Sequence, residues 1–262
     1  EKISVFLDGK EDSTPEQVEK EIAKELLPDI LAHWRNAVIS HLNNSPITDD
    51  EMDRIKKSGR TSDDDLALLI SSTLSNLISY ALLSVGITDD FLIFLQIGDG
   101  DILEADSDGS TNFVFNIPDI PGEETDSLCQ KDALSKFHVK VLDRSILDPS
   151  LILLTTDGYK KSYEYKSDFL AIGNDYLQLV RRFGCEFISE KLNQFLTEVT
   201  GKGSGDDVTL GIIKRTEFCD VDFQNGLISG LSELNSQNLS NTDRIGIINE
   251  DIGASNLEGI LA

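Results

Sequence analysis

Between residues 91 and 117 the chain carries three strand-like apolar runs, FLIFLQIG, DILEA and TNFVFNI, separated only by Gly-Asp-Gly and Ser-Asp-Gly turn signals. Two more runs, VKVLD (139–143) and LILLTTD (151–157), follow, and VTLGIIK (208–214) reads as a last buried strand. A β-rich middle of this kind needs a cover, and the flanking segments have the 3.6-residue period that supplies one. Thr14-Pro15-Glu16-Gln17 predicts a capped helix start, with the helix running to about Leu27. Pro28 is expected to break or restart it, after which Ile30, Trp34, Val38 and Leu42 form one stripe. Thr48 and Glu51 signal a second, short helix that Gly59 would stop. The period returns from Asn174 to about Val199, with Tyr176, Leu177, Val180, Phe183, Phe187, Ile188, Leu192 and Phe195. The division expected is a domain over 1–215 and a tail over 216–262. The tail is rich in Asn, Ser and acidic residues, and its Leu227, Leu231 and Leu234 keep helical spacing.

LILLTTDGYKKS (151–162) shows where chemistry can enter. Four aliphatics read as a buried strand, and Asp157-Gly158 then puts a carboxylate at the end of a rigid element. For this stretch alone, a strand closed by a plain Asp-Gly turn is the expected reading. Two further Gly-flanked acidic stretches, QIGDGD and GSGDDVTL, also adjoin strand-like runs. Three such loops together favour a site for a hard divalent cation, magnesium or manganese, since oxygen donors suit those ions. No His or Cys lies beside these carboxylates in sequence, which disfavours zinc and a cysteine nucleophile.

The 262 residues carry a formal net charge of -24, which repels phosphate backbones and argues against nucleic acid and anionic membranes as partners. Cys129, Cys185 and Cys219 are far apart and match no zinc spacing, so a reduced, cytoplasmic setting is expected. The apolar run Leu66–Val85 is interrupted by polar residues and flanked by aspartates rather than basic anchors, so it reads as core.

In order and spacing over about residues 29–214, the chain resembles the metal-dependent type 2C serine/threonine protein phosphatases, in a bacterial branch. QIGDGDILEADSDG is similar to the family's Gly-Asp-Ser-Arg strand turn, LLTTDGY to its Ser-Asp-Gly motif, and GSGDDVTLGII to its closing Asp-Asn-x-Thr motif. SSTL (71–74) and TDSLCQKDAL (125–134) resemble two more of its segments. The resemblance implies an α+β fold, a four-layer αββα sandwich of two antiparallel sheets flanked by helices. It also implies two or three magnesium or manganese ions, a phosphorylated protein as substrate and a cognate kinase as a possible partner. By position, Asp157 and Asp206 would be metal ligands, Asp99 would serve a weaker third ion, and Asp207 with Gly158 would orient the ligands.

The family's early Arg, Glu-Asp pair and bridging Asp-Gly have no clear counterpart, so the N-terminal motifs are expected to be missing. Asp8-Gly9 is the one candidate for the bridging pair and hence for two further metal positions. Gly9 lacks the small residues that should follow, and HWRNAVISHLNNSPITDDE fits the helix after that motif, so a helix end and loop is the expected reading. Two functions stay open: a phosphatase that hydrolyses phosphoserine or phosphothreonine, and an inactive or truncated phosphatase-fold domain that binds a partner.

Overall fold

The computed structural model describes Phe6 and residues 13–45, 48–57, 81–118 and 125–215. Asp8, Gly9, the SSTL segment, most of the run from 66 to 85 and the tail with Leu227, Leu231 and Leu234 lie outside the described residues. Within them the chain forms helices α1 (Pro15–Glu21), α2 (Leu27–Asn44), α3 (Asp49–Lys57), α4 (Ala133–Lys136), α5 (Asp157–Lys160) and α6 (Lys166–Lys202). The strands are β1 (Leu82–Ile87), β2 (Phe91–Ile97), β3 (Asp101–Ala105), β4 (Thr111–Phe113), β5 (His138–Asp143), β6 (Leu151–Thr155) and β7 (Leu210–Lys214). They make two compact units, one of Glu1–Asp99 with Asp119–Leu147, the other of Gly100–Pro118 with Asp148–Ala262.

The first unit holds a three-stranded sheet in the order β1-β2-β5, antiparallel throughout. The three-residue link between β1 and β2, Thr88 to Asp90, allows nothing else, because a parallel pair would need a crossover of about a dozen residues. β1 was not legible as a strand, since it lies at the end of a long apolar run that obscures any period. The helix start predicted at Thr14 is present in full: Gln17 Oε1 accepts from the Thr14 N–H at 2.8 Å, and Thr14 Oγ1 from the Gln17 N–H at 3.4 Å. A box of this kind is worth about 1 kcal/mol. Pro28 does not break the helix. A π-turn, Ile22–Leu26, carries α1 into α2, and the Leu27 N–H donates to the Ile22 carbonyl five residues back. The wide turn sits where a proline ring would otherwise collide with the carbonyl four residues before it. Val18, Ile22, Leu26 and Leu27 pack on Phe91, Ile93, Leu95 and Val141, which are alternate positions of β2 joined by one of β5. The Glu19 carboxylate then accepts the Val141 N–H at 2.8 Å, tying the helix to the β5 backbone.

The second unit is a four-stranded antiparallel sheet in the order β4-β3-β6-β7, with α6 on one face. Leu103 faces Leu153 and Ala105 faces Leu151 across the β3–β6 pair, and these four meet Phe169, Ile172, Leu177 and Val180. α6 is longer than its periodic core predicts, and it is kinked. Gly184 has φ 78 and ψ 173, a conformation that only glycine adopts readily, so the two halves of α6 bend there instead of running straight. The class is therefore α+β, with two antiparallel sheets and helices packed on them, as the resemblance implied.

Candidate functional site

The end of β6 and the loop before β7 form the candidate site. β6 pairs with β7 through Thr155 and Leu210, so the residues just past those ends are forced together. Thr156 continues the pairing: its N–H donates to the Thr209 carbonyl at 3.1 Å, and its Oγ1 accepts from the Thr209 N–H at 2.9 Å. Thr156 Oγ1 in turn donates to the Asp207 carbonyl at 3.3 Å. Thr156 stands at the N-cap of α5, yet its hydroxyl serves the neighbouring loop and not its own helix.

Asp157 is the first residue of α5, not part of a simple turn. Gly158 follows, and its lack of a side chain is a packing requirement. A Cβ there would lie 2.6 Å from the Asp207 carbonyl oxygen and 3.2 Å from Asp206 Cβ. The Asp157-Gly158 step and the Asp206-Asp207 step thus lie backbone against backbone. Two serines bolt them: Ser162 Oγ donates to the Gly158 carbonyl at 2.8 Å and Ser204 Oγ donates to it at 2.9 Å. The Asp206 N–H donates to Ser204 Oγ at 3.2 Å, Thr200 Oγ1 donates to the Asp206 carbonyl, and Asp206 Oδ1 accepts from the Asp207 N–H at 3.0 Å. From below, Tyr159 holds α5 down. Its hydroxyl meets that of Tyr176 at 3.1 Å, and its ring stands edge-on to Phe169 at 6.0 Å. Burial pushes the Tyr159 and Tyr176 phenols up, so both stay neutral and one donates to the other.

The charge on Asp157 is already answered within the turn. Lys161, four residues on, pairs its ammonium with Asp157 Oδ2. Sequence reading passed over this residue, although an Asp followed four residues later by a Lys at a helix start is a recognisable signal. It also passed over Thr156, Ser162 and Ser204, small hydroxyls that only the folded loop brings to one carbonyl. Lys160, the neighbour of Lys161, turns elsewhere, to Asp101 at 3.5 Å.

Of the residues expected to act, Asp157, Gly158, Asp206 and Asp207 come together. Asp99 belongs to the other compact unit, where its carboxylate accepts from Thr125 Oγ1 at 3.0 Å. Asp8 and Gly9 lie outside the described residues. Two carboxylate-bearing segments meet at a glycine, and one or two carboxylates completed by water are enough to hold a hard cation such as magnesium. Among the described residues no group of three or more His, Cys, Asp or Glu could hold a metal. No helix among them is long and apolar enough to cross a membrane.

Comparison with known proteins follows the same line. The model of the protein phosphatase 2C family matches residues 3–197. No curated protein matches the chain. Among solved structures, the catalytic domain of the serine/threonine protein phosphatase PstP, in complex with two manganese ions, aligns over 70% of this chain and 79% of its own. Its identity is 14% and its TM-score 0.39, too low to carry any argument about this site. The family match spans about three quarters of the chain and includes the Asp157-Gly158 turn: the chain belongs to the protein phosphatase 2C family.

Proposed function

We propose that the chain is a metal-dependent protein serine/threonine phosphatase that hydrolyses phosphoserine or phosphothreonine esters on a protein partner. The observation that carries this reading is the apposition of Asp157-Gly158 and Asp206-Asp207, where a Cβ on Gly158 would strike the Asp207 carbonyl. Asp157 and Asp206 would hold magnesium or manganese, and Asp99 a weaker further ion. The chemistry such an ion supplies is polarisation of a phosphoryl oxygen and activation of water near neutral pH. The chain's own part is positional. β6 and β7 fix where the two carboxylates start, and Thr156, Ser162 and Ser204 lock the loop that carries Asp206 onto the turn that carries Asp157. Gly158 keeps the two close, and Asp207 orients Asp206 through its N–H.

A second reading, a partner-binding domain without turnover, draws on one specific observation. Asp157 is neutralised by Lys161, and the described residues add no third ligand. Phosphate release from a phosphothreonine peptide, measured with manganese and with a chelator, separates the two. Release that needs manganese and disappears in Asp206→Asn is the expected result. A folded protein that releases no phosphate with manganese overturns the phosphatase reading in favour of the binding domain.

A further inference from the structure

We infer that Lys161 is a tethered counter-ion that competes with the metal for Asp157 and so sets the affinity of the site; this rests on the metal-dependent reading above. The geometry is built into α5. The Lys161 N–H donates to the Asp157 carbonyl at 2.9 Å, closing one helical turn and stacking residue 161 over residue 157. That puts the Lys161 side chain on the face of Asp157, and its ammonium pairs with Asp157 Oδ2. Lys161 is not locked there, however. Its side chain is 58% exposed while that of Asp157 is 25% exposed, so water reaches the pair and weakens its attraction.

The other basic side chains near α5 are engaged differently. Lys160 bonds Asp101, and Lys166 bonds Asn116 Oδ1 at 3.0 Å with its ammonium 4.5 Å from the Phe113 ring centroid. Lys161 alone of these three is paired with Asp157. A cation arriving at Asp157 and Asp206 must first open that pair. Its apparent affinity is reduced by the fraction of molecules in which the pair is closed. For a partly exposed ion pair that factor is modest, about two- to fivefold.

The test is manganese titration by calorimetry on the whole chain and three variants. Lys161→Met should bind manganese about two- to fivefold more tightly, while Lys161→Arg, which keeps a cation on a comparable tether, should stay within about twofold of the parent. Lys166→Met removes the same charge from the same unit without touching Asp157, and should also stay within about twofold. A second readout is the melting temperature: Lys161→Met should start lower than the parent and gain more from saturating manganese. Unchanged or weaker binding by Lys161→Met overturns the proposal, and so does equal tightening by Lys166→Met. Absence of manganese binding by the parent and by Lys161→Met alike overturns the metal reading itself, and the proposal with it.

Discussion

Gly158→Ala is the most informative single change in this molecule. At 158 the backbone is the first turn of α5 and is not left-handed, so alanine is conformationally welcome and would gain about 0.5–1 kcal/mol. What opposes it is space. The new methyl would lie 2.6 Å from a backbone oxygen, so it must move at least 0.4 Å to reach even the 3.0 Å that real Cβ atoms almost never breach. Neither side can give easily, because β6 fixes one and the hydroxyls of Thr156 and Ser204 fix the other. Overpacking of this order costs about 1–3 kcal/mol, for a net loss of about 0–2 kcal/mol in stability. The effect on the site should be larger than that. Metal–oxygen distances are set within about 0.2 Å, and the two carboxylate-bearing segments would part by twice as much. Urea unfolding and manganese calorimetry on the same preparation measure both effects. The expected result is an unfolding free energy lowered by no more than about 2 kcal/mol, with manganese affinity reduced about tenfold or more. Wild-type affinity in a normally folded Gly158→Ala would refute the claim that this close approach builds the site.

Three other outcomes are expected. Asp157→Asn should lower manganese affinity by well over tenfold while costing no more than about 1 kcal/mol of stability, the value of a partly exposed ion pair; calorimetry and urea unfolding compare the two losses. Gly184→Ala should destabilise by about 1–3 kcal/mol in urea unfolding, although nothing lies within 4 Å of the added methyl, because φ 78 with ψ 173 is closed to alanine. A loss near zero would mean that α6 straightens without penalty. Burial holds the Tyr176 phenol above its ordinary range, so its contribution to stability is constant below pH about 10 and falls as pH rises further, since the unfolded chain loses the proton first. Unfolding midpoints from pH 9 to 11 should therefore drop more steeply for the parent than for Tyr176→Phe, and parallel slopes would contradict the assignment.

Local rules carried much of this structure from the sequence. Apolar runs of about four to eight residues, several bounded by Gly-Asp signals, marked six of the seven strands among the described residues to within a few residues, because strand pattern and turn chemistry are both short-range. The cap at Thr14 was legible for the same reason, being made by residues three apart. Asp157, Gly158, Asp206 and Asp207 were legible as candidates because each follows or precedes a readable strand. Tertiary structure alone decided the rest. β1 has no pattern of its own and becomes a strand through its pairing with β2. The length of α6 exceeds its periodic stretch, since packing on the sheet sustains it on both sides of Gly184. Above all, residues 157 and 206 are 49 apart in sequence, and nothing local says that they meet. The β6–β7 register brings them together, and the hydroxyls of Thr156, Ser162 and Ser204, ordinary in sequence, acquire a role only when one carbonyl and one loop come within their reach.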